Sequence, residues 1–372
     1  MTSMKRLSRR SDRFVACVAT RATNTVRDQT PVTFVFVRGS SLRSESDFVT
    51  DLTRWAFPPA LQPTQGEVAF DLKAALDGVV GLRAEIPDDA FTASILGTDR
   101  SGNGVVIRDD GLILTIGYLI TEAASVWLTR GDGSVVEGHP LAYDFATGFG
   151  LVLPLGQLDL PTIERGSATA VLEDDEVYVV GHGGRGHALK ATVFAKREFA
   201  GFWEYLLDTA LFTTPPHPEW SGAALLDEQG RLIGIGSLLL QEKIGDDVVD
   251  GNMFVPVDLI EPMLDDLVRT GRSAELPRPW LGMYTADRDG RLVVNGLAGG
   301  GPAETAGVHA GDLVVAVGSE RVTSLADLFR GIWKLGPAGT AIPLTLARGG
   351  APVYVRVASG DRNDFLRKPS LQ

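Results

Sequence analysis

Ser221 is the residue of this sequence with the most evident potential for chemistry. It lies in residues 219–225, which read EWSGAAL, so a turn of small residues follows the hydroxyl. A serine hydroxyl becomes a nucleophile only when a positioned base takes its proton and backbone N–H groups stabilise the oxyanion that follows. The rest of the sequence therefore has to supply a base and a suitable turn.

Histidine is the side chain that most often acts as a general base near neutral pH. The sequence has five histidines, at positions 139, 182, 187, 217 and 309. His217 lies four residues before Ser221 in a proline-rich loop, and His182 follows an apolar segment in the string GHGG. Either one could act as the base of a rewired site, and for each a solvated loop histidine is the alternative.

The spacing of histidine and cysteine indicates neither a metal site nor an intrachain disulfide. Cys17 is the one cysteine, and no two histidines have the H-x-x-x-H spacing that places two ligands on one helix face. We therefore expect no metal and no cofactor.

The elements around this serine are predicted to be short strands. Over residues 93–257, short apolar segments alternate with Gly, Asp and Pro, which is typical of an antiparallel barrel or sandwich. Helical spacing predicts a short helix over 70–82 and another over 259–269. Residues 271–279 contain two prolines and predict a linker, and residues 280–360 predict a compact α+β domain.

Residues 1–66 show no sustained hydrophobic period, which predicts a disordered or spurious basic extension. Their apolar stretch is shorter than the ~7–15 residues of a secretory signal. This favours the cytoplasm, with a periplasmic or exported location as the alternative if the segment acts as a signal. Residues 67–270 then form the barrel domain and residues 361–372 a C-terminal tail.

Charge and hydropathy exclude two classes of partner. The net charge of −12 argues against nucleic acid and anionic membranes. No apolar run approaches the ~18 residues of a membrane-spanning helix, so we expect no integral membrane segment.

Five segments resemble, in the same order, the HtrA/Deg serine proteases. They are residues 102–115, 144–153, 176–181, 220–235 and 253–258. In that family a chymotrypsin-like domain precedes one or more PDZ domains. The resemblance implies a mainly β fold: a chymotrypsin-like double six-stranded β-barrel followed by one α+β PDZ domain. It also implies assembly into a homotrimer, for which the sequence itself offers no signal.

The resemblance transfers the catalytic residues only in part. Ser221 keeps the nucleophile position, whereas Tyr118 stands at the family's histidine position and Gly148 at its aspartate position. A phenol, with an ordinary pKa near ~10, does not accept a proton from serine at neutral pH. Pro218 and the loss of the family's glycine before Trp220 also restrict the backbone of the loop that forms the oxyanion site. We therefore expect a degenerate triad.

Residues 290–297, 301–313 and 315–322 resemble the PDZ signature of the same family. A PDZ domain adds an extended peptide to its sheet edge and captures the C-terminal carboxylate in a loop of backbone N–H groups. The matching loop is Trp280-Leu281-Gly282-Met283, with Leu328 or Ile332 lining an apolar pocket. The alternative interpretation is that Trp280 and Met283 are core residues and that the groove is empty or self-occupied.

Two function classes follow from the resemblance. The first is a catalytically inactive pseudoprotease that binds peptides or the C-termini of unfolded proteins through its PDZ groove. The alternative is an active serine endopeptidase of the HtrA type involved in protein quality control. A third, weaker hypothesis is a structural adaptor whose barrel serves oligomerisation.

Overall fold

Two β-barrels and a smaller α+β domain follow one another along the chain in the computed structural model, which describes residues 16–20, 31–35, 55–244, 247–288 and 290–368. Two strands, β1 (Ala16–Thr20) and β2 (Pro31–Val35), pair with each other antiparallel. Strand β2 also extends the edge of the second barrel, where Thr33 lies opposite Gln241.

The first barrel is a closed ring of six antiparallel strands. They are β3 (Val79–Glu85), β4 (Asp99–Val106), β5 (Ile113–Ile116), β6 (Ser125–Thr129), β7 (Val135–Tyr143) and β8 (Phe149–Pro154). The ring order is β3-β4-β5-β8-β7-β6. Val80, Val105 and Leu114 are fully buried inside it, because alternate residues of a strand point to the same face.

The second barrel also has six strands in its ring. They are β9 (Glu176–Val180), β10 (Ala188–Gly201), β11 (Tyr205–Thr214), β12 (Ala224–Leu226), β13 (Leu232–Ile244) and β14 (Asp247–Pro256). Pairing of β13 with β14 closes the ring β9-β10-β11-β14-β13-β12. A bulge between Gly236 and Leu238 sets Ser237 outside the regular ladder. The double six-stranded barrel expected from the resemblance is confirmed.

The segment that leads into the barrels departs from the expectations. Helix α1 covers only Leu72–Asp77, and residues 79–82, predicted as helix, belong to β3. Gly78 is the C-cap of this helix, and a Cβ there would lie 2.7 Å from Ile163, so only glycine allows the chain to pass this point before it enters β3. Residues 93–97, predicted as strand, form helix α2 (Ala93–Leu96).

The expected boundary at residue 66 falls inside a segment that packs on the second barrel. The backbone N–H of Phe57 donates to the carbonyl of Gly186 over 2.9 Å. The Trp55 ring lies 4.3 Å from the His187 ring, centroid to centroid. Phe57 and Leu61 also pack against the apolar cluster of the second barrel, so this segment contacts the barrel rather than standing apart from it. The remaining expectation for residues 1–54 falls largely outside the described residues.

Helix α3 (Leu264–Thr270) and the linker lead to the C-terminal domain. Its strands are β15 (Met283–Arg288), β16 (Arg291–Leu297), β17 (Leu313–Val317), β18 (Glu320–Arg321), β19 (Ala341–Arg348) and β20 (Ala351–Ala358), and its helices are α4 (Pro302–Thr305) and α5 (Leu325–Lys334). The sheet order is β15-β16-β17-β19-β20, so β15 is an edge strand.

Helix α5 packs its apolar face on this sheet. Ser324 caps its N-terminus by accepting the N–H of Asp327 over 3.0 Å, and Leu328, Phe329 and Ile332 are buried. The expected PDZ domain is confirmed in architecture. Among the helices of the described residues, none is long and apolar enough to span a membrane.

Candidate functional site

Ser221 lies in the turn between β11 and β12, at the seam of the two barrels. Its carbonyl accepts hydrogen bonds from the backbone N–H of Asn103 over 2.8 Å and from Asn103 Nδ2 over 3.1 Å. The next residue, Gly222, has a φ of +72°, and a Cβ there would lie 2.0 Å from the carbonyl of Asn103. Glycine is therefore required for the turn to dock against β4.

Tyr118 is the hydrogen-bond partner of the Ser221 hydroxyl. It lies in a single 3-10 turn, Gly117–Leu119, directly after β5. Its phenol oxygen is 2.8 Å from Ser221 Oγ and 2.9 Å from the carbonyl oxygen of Ser237. The bulge at Ser237 leaves this carbonyl free to face the phenol.

The proton positions follow from what each group can do. Tyr118 donates in both contacts, to Ser221 Oγ and to the carbonyl of Ser237, and shares its single phenol proton between them. Burial raises the pKa of Tyr118 well above its ordinary value. The hydrogen-bond partner of Ser221 Oγ is therefore a neutral phenol, which is a poor proton acceptor.

Gly148, which the resemblance assigns to the family's aspartate position, lies beside the Tyr118 turn. Its carbonyl accepts the N–H of Gly117 over 2.7 Å. Its φ is +86°, and a Cβ there would lie 3.0 Å from the phenol oxygen of Tyr205, which itself donates to the carbonyl of Thr147 over 2.5 Å. The tyrosine occupies the space that an aspartate side chain would need, and the positive φ disfavours any residue other than glycine.

A second tyrosine fills the other side of the same turn. A Cβ on Gly117 would lie 2.0 Å from the Tyr143 ring. The nearby carboxylate of Asp144 is used locally, accepting the N–H and the hydroxyl of Thr147 over 2.7 Å each. The region behind Tyr118 is thus packed with aromatic rings, and the Asp144 carboxylate stabilises the turn at Thr147.

His217 is fully buried and uses both ring nitrogens in its own loop. Nε2 lies 3.0 Å from the carbonyl of His187, and Nδ1 accepts the backbone N–H of Glu219 over 3.0 Å. Because the carbonyl only accepts, Nε2 carries the proton. Burial lowers the pKa of His217 to about 4, so the ring is neutral at physiological pH.

This contact also affects the oxyanion site. In a serine protease of this fold, the N–H groups of the nucleophile and of the residue two before it bind the oxyanion. Here the residue two before Ser221 is Glu219, and its N–H donates to His217. One of the two required donors is therefore already engaged.

His182 lies against the first barrel. Its Nε2 is 3.2 Å from the carbonyl of Arg130, its backbone N–H donates to Asn103 Oδ1 over 2.7 Å, and its ring covers Gly81. Burial lowers the pKa of this ring as well. Within the described residues, neither of the two histidines considered as bases is hydrogen-bonded to Ser221.

The loop Trp280-Leu281-Gly282-Met283 leads into the edge strand β15. The side chains of Trp280, Leu281 and Met283 are buried, which agrees with the interpretation of Trp280 and Met283 as core residues. Gly282 has a φ of +71°. This conformation turns the backbone N–H groups of the loop outward, as a carboxylate-binding nest requires.

The nest is filled by Glu204, a residue that sequence reasoning did not select. One carboxylate oxygen accepts the N–H of Leu281 over 2.9 Å, and the other accepts the N–H of Met283 over 2.8 Å. Glu204 lies between β10 and β11 and has a φ of +61°. Its signal in the sequence is weak: one acidic residue after two aromatic residues, Phe202 and Trp203, at a strand junction.

Comparison with known proteins identifies both domains. The family model described as "Trypsin-like peptidase domain" matches residues 102–235, and the one described as "PDZ domain" matches residues 279–358. The Tyr118, Gly148 and Ser221 positions fall in the first match, and the Leu281 nest falls in the second.

The chain spans little more than half the length of the first curated relative that it matches. The chain is 24% identical over 276 residues to the "Probable periplasmic serine endoprotease DegP-like" of Halomonas elongata, an alignment that covers 71% of this chain and 57% of that protein. It is 23% identical over 330 residues to the "Serine protease Do-like HtrA" of Bacillus subtilis, covering 78% and 71% respectively. Among solved structures, a serine endoprotease from Yersinia pestis aligns with a TM-score of 0.46 and 21% identity, over 78% of this chain and 96% of that chain.

Proposed function

Because this chain belongs to the HtrA/Deg family, in which a trypsin-like peptidase domain precedes a PDZ domain, we propose that it is a catalytically inactive member that binds peptides. The ligands are the C-termini of peptides or unfolded proteins, and the binding site is the PDZ groove. The hydrogen bond between Ser221 and Tyr118 is the observation that carries the proposal of inactivity.

The inactivity follows from what the Ser221 hydroxyl can do in this setting. Attack on a carbonyl needs transfer of the serine proton to a base, and a neutral phenol accepts that proton only at a large cost. In serine proteases the loss of a triad member lowers kcat by roughly 10⁴-fold or more. In this chain the donor from Glu219 is also engaged, so the rate that an intact oxyanion site would leave is reduced further.

The test of inactivity is labelling and turnover in the full chain. Wild-type protein and Ser221→Ala are treated with a fluorophosphonate probe and with casein, and an active trypsin-like protease serves as the positive control. We expect neither labelling nor casein cleavage above the level of Ser221→Ala. Cleavage that depends on Ser221 would instead establish the alternative, an active endopeptidase of the HtrA type.

The test of peptide binding uses the free carboxylate as the discriminating group. Fluorescein-labelled peptides with a free C-terminal carboxylate are compared with their C-terminal amides, because a nest of N–H groups recognises the anion. We expect binding of the free acids only. Equal binding of acids and amides would place the peptide elsewhere on the molecule. The homotrimer implied by the family is tested on the same preparation by sedimentation.

A further inference from the structure

We infer that the PDZ groove is closed by the protein's own β10–β11 hairpin, with the Glu204 side chain in the place of a peptide's C-terminal carboxylate. The inference rests on the proposed function, since it assigns a regulation to the same groove. The tip of this hairpin, residues 201–205, will be called the latch. A ligand has to displace the latch before it can bind.

The carboxylate contact has the geometry of ligand capture. The two oxygens of Glu204 accept the N–H groups of Leu281 and Met283 over 2.9 and 2.8 Å. Backbone N–H groups arranged in this way bind a C-terminal carboxylate in PDZ domains. A side-chain carboxylate and a C-terminal carboxylate have the same planar shape and charge, so the two compete for one site.

The latch backbone also takes the position of an added strand. The N–H of Thr285 in β15 donates to the carbonyl of Phe202 over 3.1 Å. Glu204 bonds to residues 281 and 283, and Phe202, earlier in the latch, bonds to residue 285, later in β15. The latch therefore runs antiparallel to β15. Because β15 is the edge strand of its sheet, this side is where an extended peptide adds.

Side chains of the hairpin reach the opposite wall of the groove. Leu206 is buried in the apolar cluster of the C-terminal domain together with Met283 and Leu328. Arg330 on α5 forms ion pairs with Glu198 of β10, over 2.6 Å, and with Asp208 of β11. The hairpin therefore contacts both β15 and α5, the two elements that bound a PDZ peptide groove.

The closed state carries a backbone strain at Glu204 that an incoming peptide would not have. Glu204 has a φ of +61°, a left-handed backbone conformation that is strained for a residue other than glycine. A peptide with a free carboxylate and an apolar last residue would supply the same nest, strand and pocket contacts without this strain. Closure weakens binding of such a peptide, because the apparent Kd equals the intrinsic Kd divided by the fraction of molecules that are open.

The test compares Glu204→Ala with wild type in the full chain. The matched control is Asp174→Ala, because Asp174 is an exposed acidic residue that also has a positive φ, +73°, but is not among the residues bonded to the nest. The probe is a pool of fluorescein-labelled decapeptides of random sequence ending in leucine with a free carboxylate. We expect Glu204→Ala to bind the pool at least tenfold more tightly than wild type and the control. Equal affinities would overturn the latch.

A second measurement separates failure of the latch from failure of the proposed function. Hydrogen exchange of the Leu281 and Met283 amides reports the closed nest without any peptide. If neither protein binds the pool, peptide binding by the groove fails. The latch then stands if Glu204→Ala speeds exchange of these two amides, and it is overturned if exchange is unchanged.

Discussion

The Ser221 hydroxyl oxygen and the Tyr118 phenol oxygen lie 2.8 Å apart, and the phenol is anchored on its other side by the carbonyl of Ser237. Three groups from both barrels therefore meet at the position that the resemblance assigns to the family's histidine. The contact ties the nucleophile turn to the first barrel and to the β13 bulge at the same time.

The first prediction concerns the structural value of this phenol. Tyr118→Phe removes both hydrogen bonds and leaves the Ser237 carbonyl without its partner, which costs about 1–3 kcal/mol. Ser221→Ala keeps the bond from Tyr118 to Ser237 and should cost less. The free energies of unfolding of the two variants in urea give the comparison. A larger loss for Ser221→Ala would show that the Ser237 contact contributes little.

The second prediction concerns the aspartate position. Gly148→Asp places a side chain at φ +86° and 3.0 Å from the Tyr205 phenol oxygen, so we expect a loss of about 2–4 kcal/mol in unfolding free energy. Gly97→Asp is the matched control, since Gly97 has a φ of +82° with open space around its Cβ position. The control isolates the cost of the backbone conformation. Equal losses would mean that the Tyr205 side chain moves aside without lowering the free energy of unfolding.

The third prediction is an acid sensitivity from His217. Its folded pKa is about 4, below the ordinary 6.5, so the stability it contributes is present above pH 6.5 and is lost as the pH falls toward 4. Between pH 7 and pH 5 this amounts to about 2 kcal/mol. Urea unfolding at the two pH values measures it.

His217→Gln is the variant that checks this assignment. Glutamine does not titrate, so the loss between pH 7 and pH 5 should shrink by the same amount of about 2 kcal/mol. His182, whose pKa is also lowered by burial, is expected to account for part of the remainder. An unchanged pH dependence in His217→Gln would assign the acid sensitivity to other groups.

The fourth prediction is a pH dependence of the latch. Burial raises the pKa of Glu204 to about 7, although the N–H groups of Leu281 and Met283 and the charge of Arg362 act in the opposite direction. Tyr284 is the other titratable group that interacts with Glu204. Because the closed state holds a proton more firmly than the open state, closure is strongest below the open-state pKa and weakens as the pH rises through 7.

The measurement is the protection factor of the Leu281 and Met283 amides, which corrects for the intrinsic pH dependence of exchange. We expect protection at pH 6 to exceed that at pH 8 by up to about tenfold. Glu204→Ala should show no such difference. Protection that rises with pH would reverse the sign assigned to Glu204.

Local sequence patterns were sufficient for some of these features and not for others. The strand periodicity and the collinear segments predicted both barrels and the PDZ domain, because alternation of apolar residues reports burial along a single strand. The helix predicted over 70–82 extends too far, since the apolar residues 79–82 suit a helix or a strand equally well. Their pairing with β4 makes them part of strand β3. Local pattern predicts an unstructured arm for the Phe57 segment, because its hydrogen-bond partner Gly186, between β9 and β10, is more than a hundred residues away.

By itself, the sequence determined the order of the two domain types. Its resemblance to the family also assigned Tyr118, Gly148 and Ser221 to the catalytic positions, because these residues lie in segments whose local patterns can be matched. Only the tertiary structure decided what those residues contact. Tyr118 donates a hydrogen bond to the carbonyl of Ser237 in the β13 bulge, and both ring nitrogens of His217 are bonded to backbone groups of nearby loops. The Glu204 carboxylate binds the N–H groups of the nest in the next domain. In the nest, the bonded residues Glu204 and Leu281 are 77 positions apart in the sequence. Hydrogen bonds over such separations are set by the packing of whole domains rather than by neighbouring residues.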